Sequence, residues 1–200
     1  MIKTTEKRLL LFSLIGILLF SFSVSAGEPT DRIKKTTDKL IEIVSDHTLD
    51  PPEMAEKRAA LIREAVDWVF DWEAFSQRAM GRHWAKLNKE QKKEFVLLFG
   101  QLLERTYMDK TRHYSGEQIK FISEEIEDRY GTVEAVVTTR NGTDIAVEYR
   151  VIKDDNGWFV YDVYVEGVSL VNNYRVQFNR IMIKASYEEL INKLKTKLEE

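Results

Sequence analysis

The chain has 200 residues, a length typical of one domain with at most a small appendage. Its residues are 44% apolar and 32% charged, which is a globular composition without the bias of disordered or fibrous proteins. The net charge of −3 argues against a nucleic-acid-binding protein, and the absence of cysteine excludes disulfides, thiolate metal sites, cysteine nucleophiles and a lipidated N-terminal cysteine.

Residues 1–26 have the pattern of an export signal. Three basic residues precede an apolar run of 16 residues, Leu9 to Val24. This run is shorter than the ~20 residues that span a bilayer, and small residues typical of a cleavage site end at Ala26. The sequence therefore predicts a signal peptide over 1–26, a single domain over 27–200 and a periplasmic location. An uncleaved N-terminal anchor is the alternative.

Helical periodicity dominates the first half of the mature chain. Apolar residues recur at helical spacing over about Thr30–Asp46. The run Asp50-Pro51-Pro52-Glu53 has the order of an N-cap, a first-turn proline and an acidic third position, which predicts the start of a second helix. A short third helix is predicted over Trp72–Met80, with its end near Gly81.

The fourth predicted helix carries the widest apolar face of the chain. Asn88 and Gln91, three residues apart, resemble a capping pair at its start. Its stripe consists of Phe95, Leu98, Phe99, Leu102, Leu103, Thr106 and Tyr107. Periodicity alone does not distinguish a core face from the wall of a cavity.

After Gly116 the apolar period changes to two. Four strands are predicted, at Ile119–Glu127, Thr132–Thr139, Thr143–Lys153 and Trp158–Val165. Gly167 is predicted to end the sheet, and two further helices follow, one capped by Ser169 and one by Ser186. This order predicts an α+β fold in which helices wrap one face of a four-stranded antiparallel meander.

The turn around Asn141-Gly142 allows a prediction of register. The apolar residues of both flanking strands occupy odd positions: Val133, Ala135, Val137, Ile145, Val147, Tyr149 and Val151. A two-residue loop would pair odd with even positions and put the two sets on opposite faces of the sheet. The sequence instead predicts a three-residue loop, Arg140-Asn141-Gly142, with a type I turn and a bulge at Gly142.

The sequence contains no glycine-rich phosphate loop, no G-x-S-x-G and no H-E-x-x-H. His47 and His113 lie near predicted helix ends, where a surface cation is expected, and His83 suits a loop or capping role better than catalysis. Asp162, among the aromatic residues of the last strand, is the carboxylate of most interest. A general base would need it to face a pocket, and the alternative is a structural hydrogen bond to a neighbouring loop.

Two stretches carry a resemblance to a known family. The first consists of Phe70-Asp71-Trp72, Ala79 through Trp84, and the spaced residues Gln91, Phe95, Phe99, Leu103 and Tyr107. The second, which is long and highly specific, runs from Gly157 through Arg175 and adds Gln177 and Phe178. Together they resemble the MlaC family of periplasmic phospholipid-binding proteins, the toluene-tolerance auxiliary proteins, over essentially the whole mature chain. Met80 stands where the family usually has Leu, which is a volume-conserving change.

The resemblance implies an NTF2-like or cystatin-like sheet whose helices enclose an apolar cavity for lipid tails. It implies no enzymatic activity and no cofactor, with a bound phospholipid as cargo. It also implies a carrier between an inner-membrane ABC transporter complex of the Mla type and an outer-membrane lipoprotein–porin complex, which maintains the lipid asymmetry of the outer membrane. A monomer that does not bind nucleic acid is expected.

We expect the lipid tails to lie between the odd-numbered face of the second and third strands and the stripe of the fourth helix, because these are the largest facing apolar surfaces. The predicted lipid-binding residues are Trp72, Phe75, Phe95, Leu98, Phe99, Leu102, Leu103, Val133, Ala135, Val137, Ile145, Val147, Tyr149, Val160 and Tyr174. Arg82 and Arg175 are the predicted headgroup donors at the mouth. The alternative for any one of these residues is an ordinary place in the core or in a surface ion pair.

Three other functions remain open from the sequence. The first is a carrier of polycyclic lipids such as hopanoids. The second is an NTF2-like enzyme that acts on an apolar substrate through Asp162 or His83, since a fold does not by itself determine a function. The third is a structural envelope adaptor, which would show a filled core and an exposed apolar patch in place of a cavity.

Overall fold

The structure, a computed structural model, describes residues 27–111, 114 and 116–199, and for 108–111 the backbone alone. The predicted signal peptide over 1–26 and the prediction for His113 lie outside these residues. In the described part of the chain, no helix combines the length and the apolar character needed to span a bilayer.

The described residues form helices, then strands, then helices again, as predicted. The helices are α1 (Glu28–Ser45), α2 (Ala55–Asp67), α3 (Trp72–Met80), α4 (Lys89–Thr111), α5 (Leu170–Lys184) and α6 (Tyr187–Glu199). The strands are β1 (Gln118–Glu127), β2 (Tyr130–Thr138), β3 (Asp144–Asp154), β4 (Gly157–Val165) and β5 (Val168–Ser169). Short 3₁₀ helices occupy His47–Leu49, Pro52–Met54 and Gly81–Lys86. The predicted α+β class is confirmed.

The strand count differs from the prediction at the end of the sheet. Gly167 does not end it, because Glu166 and Gly167 both adopt positive φ, 51° and 75°, and turn the chain back onto β4. Val168 then pairs with Val165, which adds the short strand β5. The sheet therefore has five strands, in the order β1-β2-β3-β4-β5 and antiparallel throughout.

Side chains that satisfy free backbone groups define where α3 and α4 begin. The Asp71 carboxylate accepts a hydrogen bond from the Ala74 amide at 2.8 Å, and α3 has its predicted bounds. The Asn88 side chain accepts from the Gln91 amide at 2.8 Å, and the Gln91 side chain accepts from the Asn88 amide at 3.0 Å. The predicted capping pair of α4 is confirmed.

The predicted cap of the second helix was wrong. The Asp50 carboxylate contacts Nδ1 of His47 at 2.9 Å and accepts from Nη1 of Arg58 at 3.2 Å. A 3₁₀ turn over Pro52–Met54 separates Asp50 from the start of α2. Pro51, with an extended ψ of 142°, occupies the N-cap position of this turn, so the chain begins it one residue later than predicted.

The β2–β3 hairpin has the predicted register. Val137 pairs with Ile145, so odd positions lie opposite odd positions. The amide of Gly142 donates to the carbonyl of Thr139 at 2.9 Å, and Gly142 has a φ of 79°. The three-residue loop with its bulge at Gly142 is confirmed, and the apolar residues of both strands share one face.

Three apolar clusters hold the layers together. The first lies among α3, α4, α5 and α6 and includes Phe75, Phe95, Phe99, Phe178 and Leu190. The second lies between α1 and the sheet and includes Ile33, Val133, Val151, Trp158 and Val160. A smaller cluster joins α1 to α2 through Ile43, Leu49, Ile62 and Ala65. The space where the three clusters meet is not filled, and residues of each of them line it.

Candidate functional site

An apolar cavity of about 920 Å³ lies between α1, α2, α4 and the inner face of the sheet. Its wall includes Ile33 and Leu40 of α1, Ile62 and Val66 of α2, Val96, Leu97, Gly100 and Leu103 of α4, and Tyr149, Val160 and Val163 of the sheet. Leu97 and Val165 also line the cavity and are 60% and 38% exposed. The cavity therefore opens to solvent beside these two residues.

The link between α2 and α3 fixes one end of the cavity against the sheet. The amide of Asp71 donates to the carbonyl of Val160 at 2.9 Å, and the amide of Val160 donates to the carbonyl of Val69 at 2.7 Å. This parallel bridge places Phe70 and Trp72 in the cavity wall, where their rings stack with centroids 5.1 Å apart. The backbone of β4 thus positions aromatic rings at the site.

Two faces of helix α4 have different roles. The lining residues recur every three or four positions from Lys89 to Tyr107, a span of about 27 Å along the helix. The other face packs into the helical core, where Phe95 and Phe99 are fully buried. Their ring centroids lie 5.4 and 5.0 Å from that of Phe178 in α5. One face of α4 therefore contributes to the helical core, and the other forms the long wall of the cavity.

Charged side chains on the cavity wall are partly neutralised. Arg63 of α2 donates to both carboxylate oxygens of Glu104 in α4, from Nε at 2.8 Å and from Nη2 at 2.5 Å. This pair joins α2 to α4 across the cavity. The Asp67 carboxylate accepts a hydrogen bond of 2.6 Å from the Nε1 group of Trp72. Lys89, Lys92 and Lys93 also line the cavity.

Comparison with known proteins identifies this architecture. The sequence model of the family described as MlaC protein matches residues 34–196. The chain belongs to the MlaC family. The intermembrane phospholipid transport system binding protein MlaC of Haemophilus influenzae is 20% identical over 191 residues, which cover 93% of this chain and 89% of that protein.

A solved structure has the same fold as this MlaC-family chain. It is the phospholipid-binding protein from Ralstonia solanacearum in complex with a phospholipid, with a TM-score of 0.76 and 24% sequence identity. The alignment covers 86% of this chain and 97% of that one. Family membership places the chain among phospholipid-binding and transport proteins rather than among enzymes.

The structure brings part of the predicted lipid-binding set to the cavity. Trp72, Phe75, Leu103, Tyr149 and Val160 line it. The remaining residues do not. Phe95, Leu98, Phe99, Leu102 and Tyr174 pack in the helical core. Val133 of β2 and Val147 of β3 pack in the cluster between the sheet and α1, Ala135 of β2 is buried, and Val137 and Ile145 are half-buried near the β2–β3 turn. The cavity is thus displaced from the predicted position toward α1 and α2.

The lining of α1 and α2 was not assigned to the site from the sequence. Ile33 and Leu40 belong to the helical apolar pattern over Thr30–Asp46, and Ile62 and Val66, four residues apart, have the same helical spacing in α2. Their spacing is the same as that of core residues, so no local signal separated the two roles.

Neither predicted headgroup arginine lines the large cavity. Arg82 is exposed on the 3₁₀ helix that follows α3. The Nε group of Arg175 donates to the carbonyl of Arg78 at 2.8 Å. Arg175 lines a separate and more polar pocket of about 690 Å³, together with Arg78 and Arg129. Arg175 thereby braces α5 against the end of α3.

The two residues of the enzyme alternative are engaged in structural contacts away from the cavity wall. Asp162 is buried and accepts three hydrogen bonds, from the amides of Val163 and Val171 at 2.8 and 3.0 Å and from Oγ of Ser169 at 2.6 Å. His83 is buried, with Nε2 2.9 Å from Oδ1 of Asn179. These bonds match the structural alternative for Asp162. Among the described residues, no group of three or more potential ligands could hold a metal ion.

Tyr149, which lines the cavity, makes the stability of the fold depend on pH in the alkaline range. Burial raises the pKa of Tyr149 to about 12, compared with about 10 in an unfolded chain. The fold therefore favours the neutral phenol, and this contribution to stability is complete below pH ~10 and is lost as the pH rises toward 12. We expect the urea midpoint of Tyr149→Phe to fall less steeply than that of wild type across this range. Tyr130→Phe, at an exposed position outside the cavity, is the matched control, and equal slopes for Tyr149→Phe and wild type would contradict the assignment.

Proposed function

We propose that the protein is a periplasmic carrier of phospholipids. The observation that carries this proposal is the open apolar cavity of about 920 Å³ in an MlaC-family chain. A methylene group takes about the volume of a water molecule in the liquid, ~30 Å³, so the cavity has room for about 30 methylenes. Two acyl tails of about 15 carbons each would fill it, which fits a diacyl lipid.

The energetics of lipid transfer favour a cavity of this size. A tail of ~15 carbons carries roughly 12 kcal/mol of transfer free energy, so a carrier that left one tail in water would not extract its lipid from a membrane. When both tails pass from a bilayer into an apolar cavity, the net free-energy change is small. The protein can then accept and release cargo, and its partners set the direction.

We further propose that the carrier shuttles, as a monomer, between an inner-membrane ABC transporter complex of the Mla type and an outer-membrane lipoprotein–porin complex, and so maintains the lipid asymmetry of the outer membrane. The Haemophilus influenzae relative, whose name assigns it to an intermembrane phospholipid transport system, supports this placement. The cavity argues against the structural adaptor, which predicts a filled core.

Mass spectrometry of an organic extract tests the proposal. The protein should be purified folded from the periplasm without detergent, and close to one diacyl phospholipid per chain is expected. A polycyclic lipid in its place would favour the hopanoid alternative. A folded protein that contains no lipid and takes none from phospholipid vesicles would contradict the carrier function.

A further inference from the structure

Three lysines stand together on the wall of the cavity. Lys89, Lys92 and Lys93 occupy positions i, i+3 and i+4 of α4, so they share one face of the helix. All three line the cavity. The next lining residues on this face, Val96 and Leu97, are apolar. Positive charge and an apolar wall therefore meet at this end of the cavity.

The three lysine charges are not neutralised by neighbours. Within the described part of the chain, none of the three forms an ion pair within 4.0 Å. Nζ of Lys92 lies 5.3 Å from the centre of the Trp84 ring, which also lines the cavity. The chain as a whole has a net charge of −3, so this local positive excess runs against the overall charge.

The carboxylates on the same wall compensate the lysines only in part. Glu104 is paired with Arg63, whereas Asp67 accepts from the uncharged Trp72 indole and keeps its negative charge. Glu73 of α3 lines both the large cavity and the polar pocket on the other side of α3, and it forms no ion pair within the residues described. Apart from the Arg63–Glu104 pair, the described lining therefore has three lysines against two carboxylates, which leaves a net positive charge of one.

We propose that Lys89, Lys92 and Lys93 form a headgroup site that makes the protein favour anionic over zwitterionic phospholipids. The proposal rests on the phospholipid-carrier function. Phosphatidylglycerol and phosphatidylethanolamine both carry a phosphodiester anion, but only the second adds an ammonium group, which the lysines repel. The headgroup with a net negative charge therefore gains more from the cluster than the neutral one.

A competition between the two lipids tests this selectivity. Delipidated full-length mature protein is incubated with vesicles of equimolar phosphatidylglycerol and phosphatidylethanolamine, reisolated, and its lipids are counted by mass spectrometry. Since each lysine near an anionic lipid is worth about fivefold in binding, wild type should show at least about fivefold enrichment of phosphatidylglycerol. The enrichment should shrink between 0.1 M and 1 M salt, because the Debye length falls from about 10 to about 3 Å.

Two triple variants with the same change in net charge isolate the site. Lys89→Gln/Lys92→Gln/Lys93→Gln should bind lipid with little preference. The matched control is a triple change to glutamine at three lysines outside the cavity wall, Lys35, Lys57 and Lys120, and it should keep the wild-type enrichment.

The outcomes separate this inference from the carrier function. A loaded wild type without enrichment would overturn the headgroup site and leave the carrier function standing, with the lysines free to serve a protein partner. Enrichment that survives in the cavity variant, or that is lost equally in the control, would also overturn the site. A wild type that takes up neither lipid would overturn the carrier function and the inference with it.

Discussion

A tryptophan in place of Gly100 is expected to exclude lipid from the cavity while the fold stays intact. Gly100 lies in the middle of α4 and lines the cavity, and no atom lies within 4 Å of the position where a Cβ would be. A Cβ at this position would therefore enter open space, and we expect the indole group attached to it to extend into the cavity. Its roughly ten non-hydrogen atoms would displace about a third of the methylenes that the cavity can hold.

The expected effect of Gly100→Trp on lipid binding is large. At about 0.8 kcal/mol for each methylene left unburied, the loss is on the order of 8 kcal/mol, which is enough to abolish stoichiometric binding. Mass spectrometry of extracted lipid measures this loss, and circular dichroism reports whether the variant is folded. A folded Gly100→Trp protein that still carries one phospholipid per chain would show that the tails lie elsewhere.

Gly100→Ala is the matched control for the tryptophan variant. A single methyl group takes little of the cavity, so lipid binding should be retained. Alanine also has a higher helix propensity than glycine inside a helix, so the free energy of unfolding should rise by about 1 kcal/mol. Comparison of the two variants thus separates the effect of filling the cavity on lipid binding from the effect of replacing glycine on the stability of the helix.

The local structure could be predicted from the sequence because it follows from short-range rules. The capping pair at Asn88 and Gln91 and the odd-with-odd register at Val137 and Ile145 depend only on residues close in sequence or directly across a hairpin. The prediction that Gly167 ends the sheet was wrong. The strand that follows Gly167 has only two residues, too few to show a strand-like alternation in the sequence.

The position of the cavity could not be predicted because apolar residues lie on two faces of α4. The side with Phe95 and Phe99 looks like a wall, but α5 and α6 cover it. The side with Val96 and Gly100 looks weaker in the sequence, yet it faces the cavity. Which face is covered depends on how α5 and α6 pack, and that contact joins residues far apart in the chain.

Replacement of Asp162 by alanine is expected to lower the free energy of unfolding by about 3–5 kcal/mol. The carboxylate is buried, and its Oδ1 accepts from two backbone amides while its Oδ2 accepts from Ser169. Alanine would leave the amides of Val163 and Val171 without this acceptor, and each hydrogen bond to a charged group contributes about 1.5–3 kcal/mol. Thermal unfolding should show a fall in Tm of about 10 °C.

Asp162→Asn is the control that distinguishes a structural role of the carboxylate from a catalytic one. The amide oxygen can still accept from both backbone amides, and its NH2 group can donate to Ser169, so the loss of stability should be about 1 kcal/mol. A catalytic carboxylate would lose its function in this variant, whereas a structural one leaves lipid binding unchanged. Val163 and Leu170 are next to these hydrogen bonds and line the cavity. The Asp162 carboxylate therefore affects the site only by holding β4 and α5 in position relative to each other. An Asp162→Ala protein as stable as wild type, or a folded Asp162→Asn protein without lipid, would contradict that role.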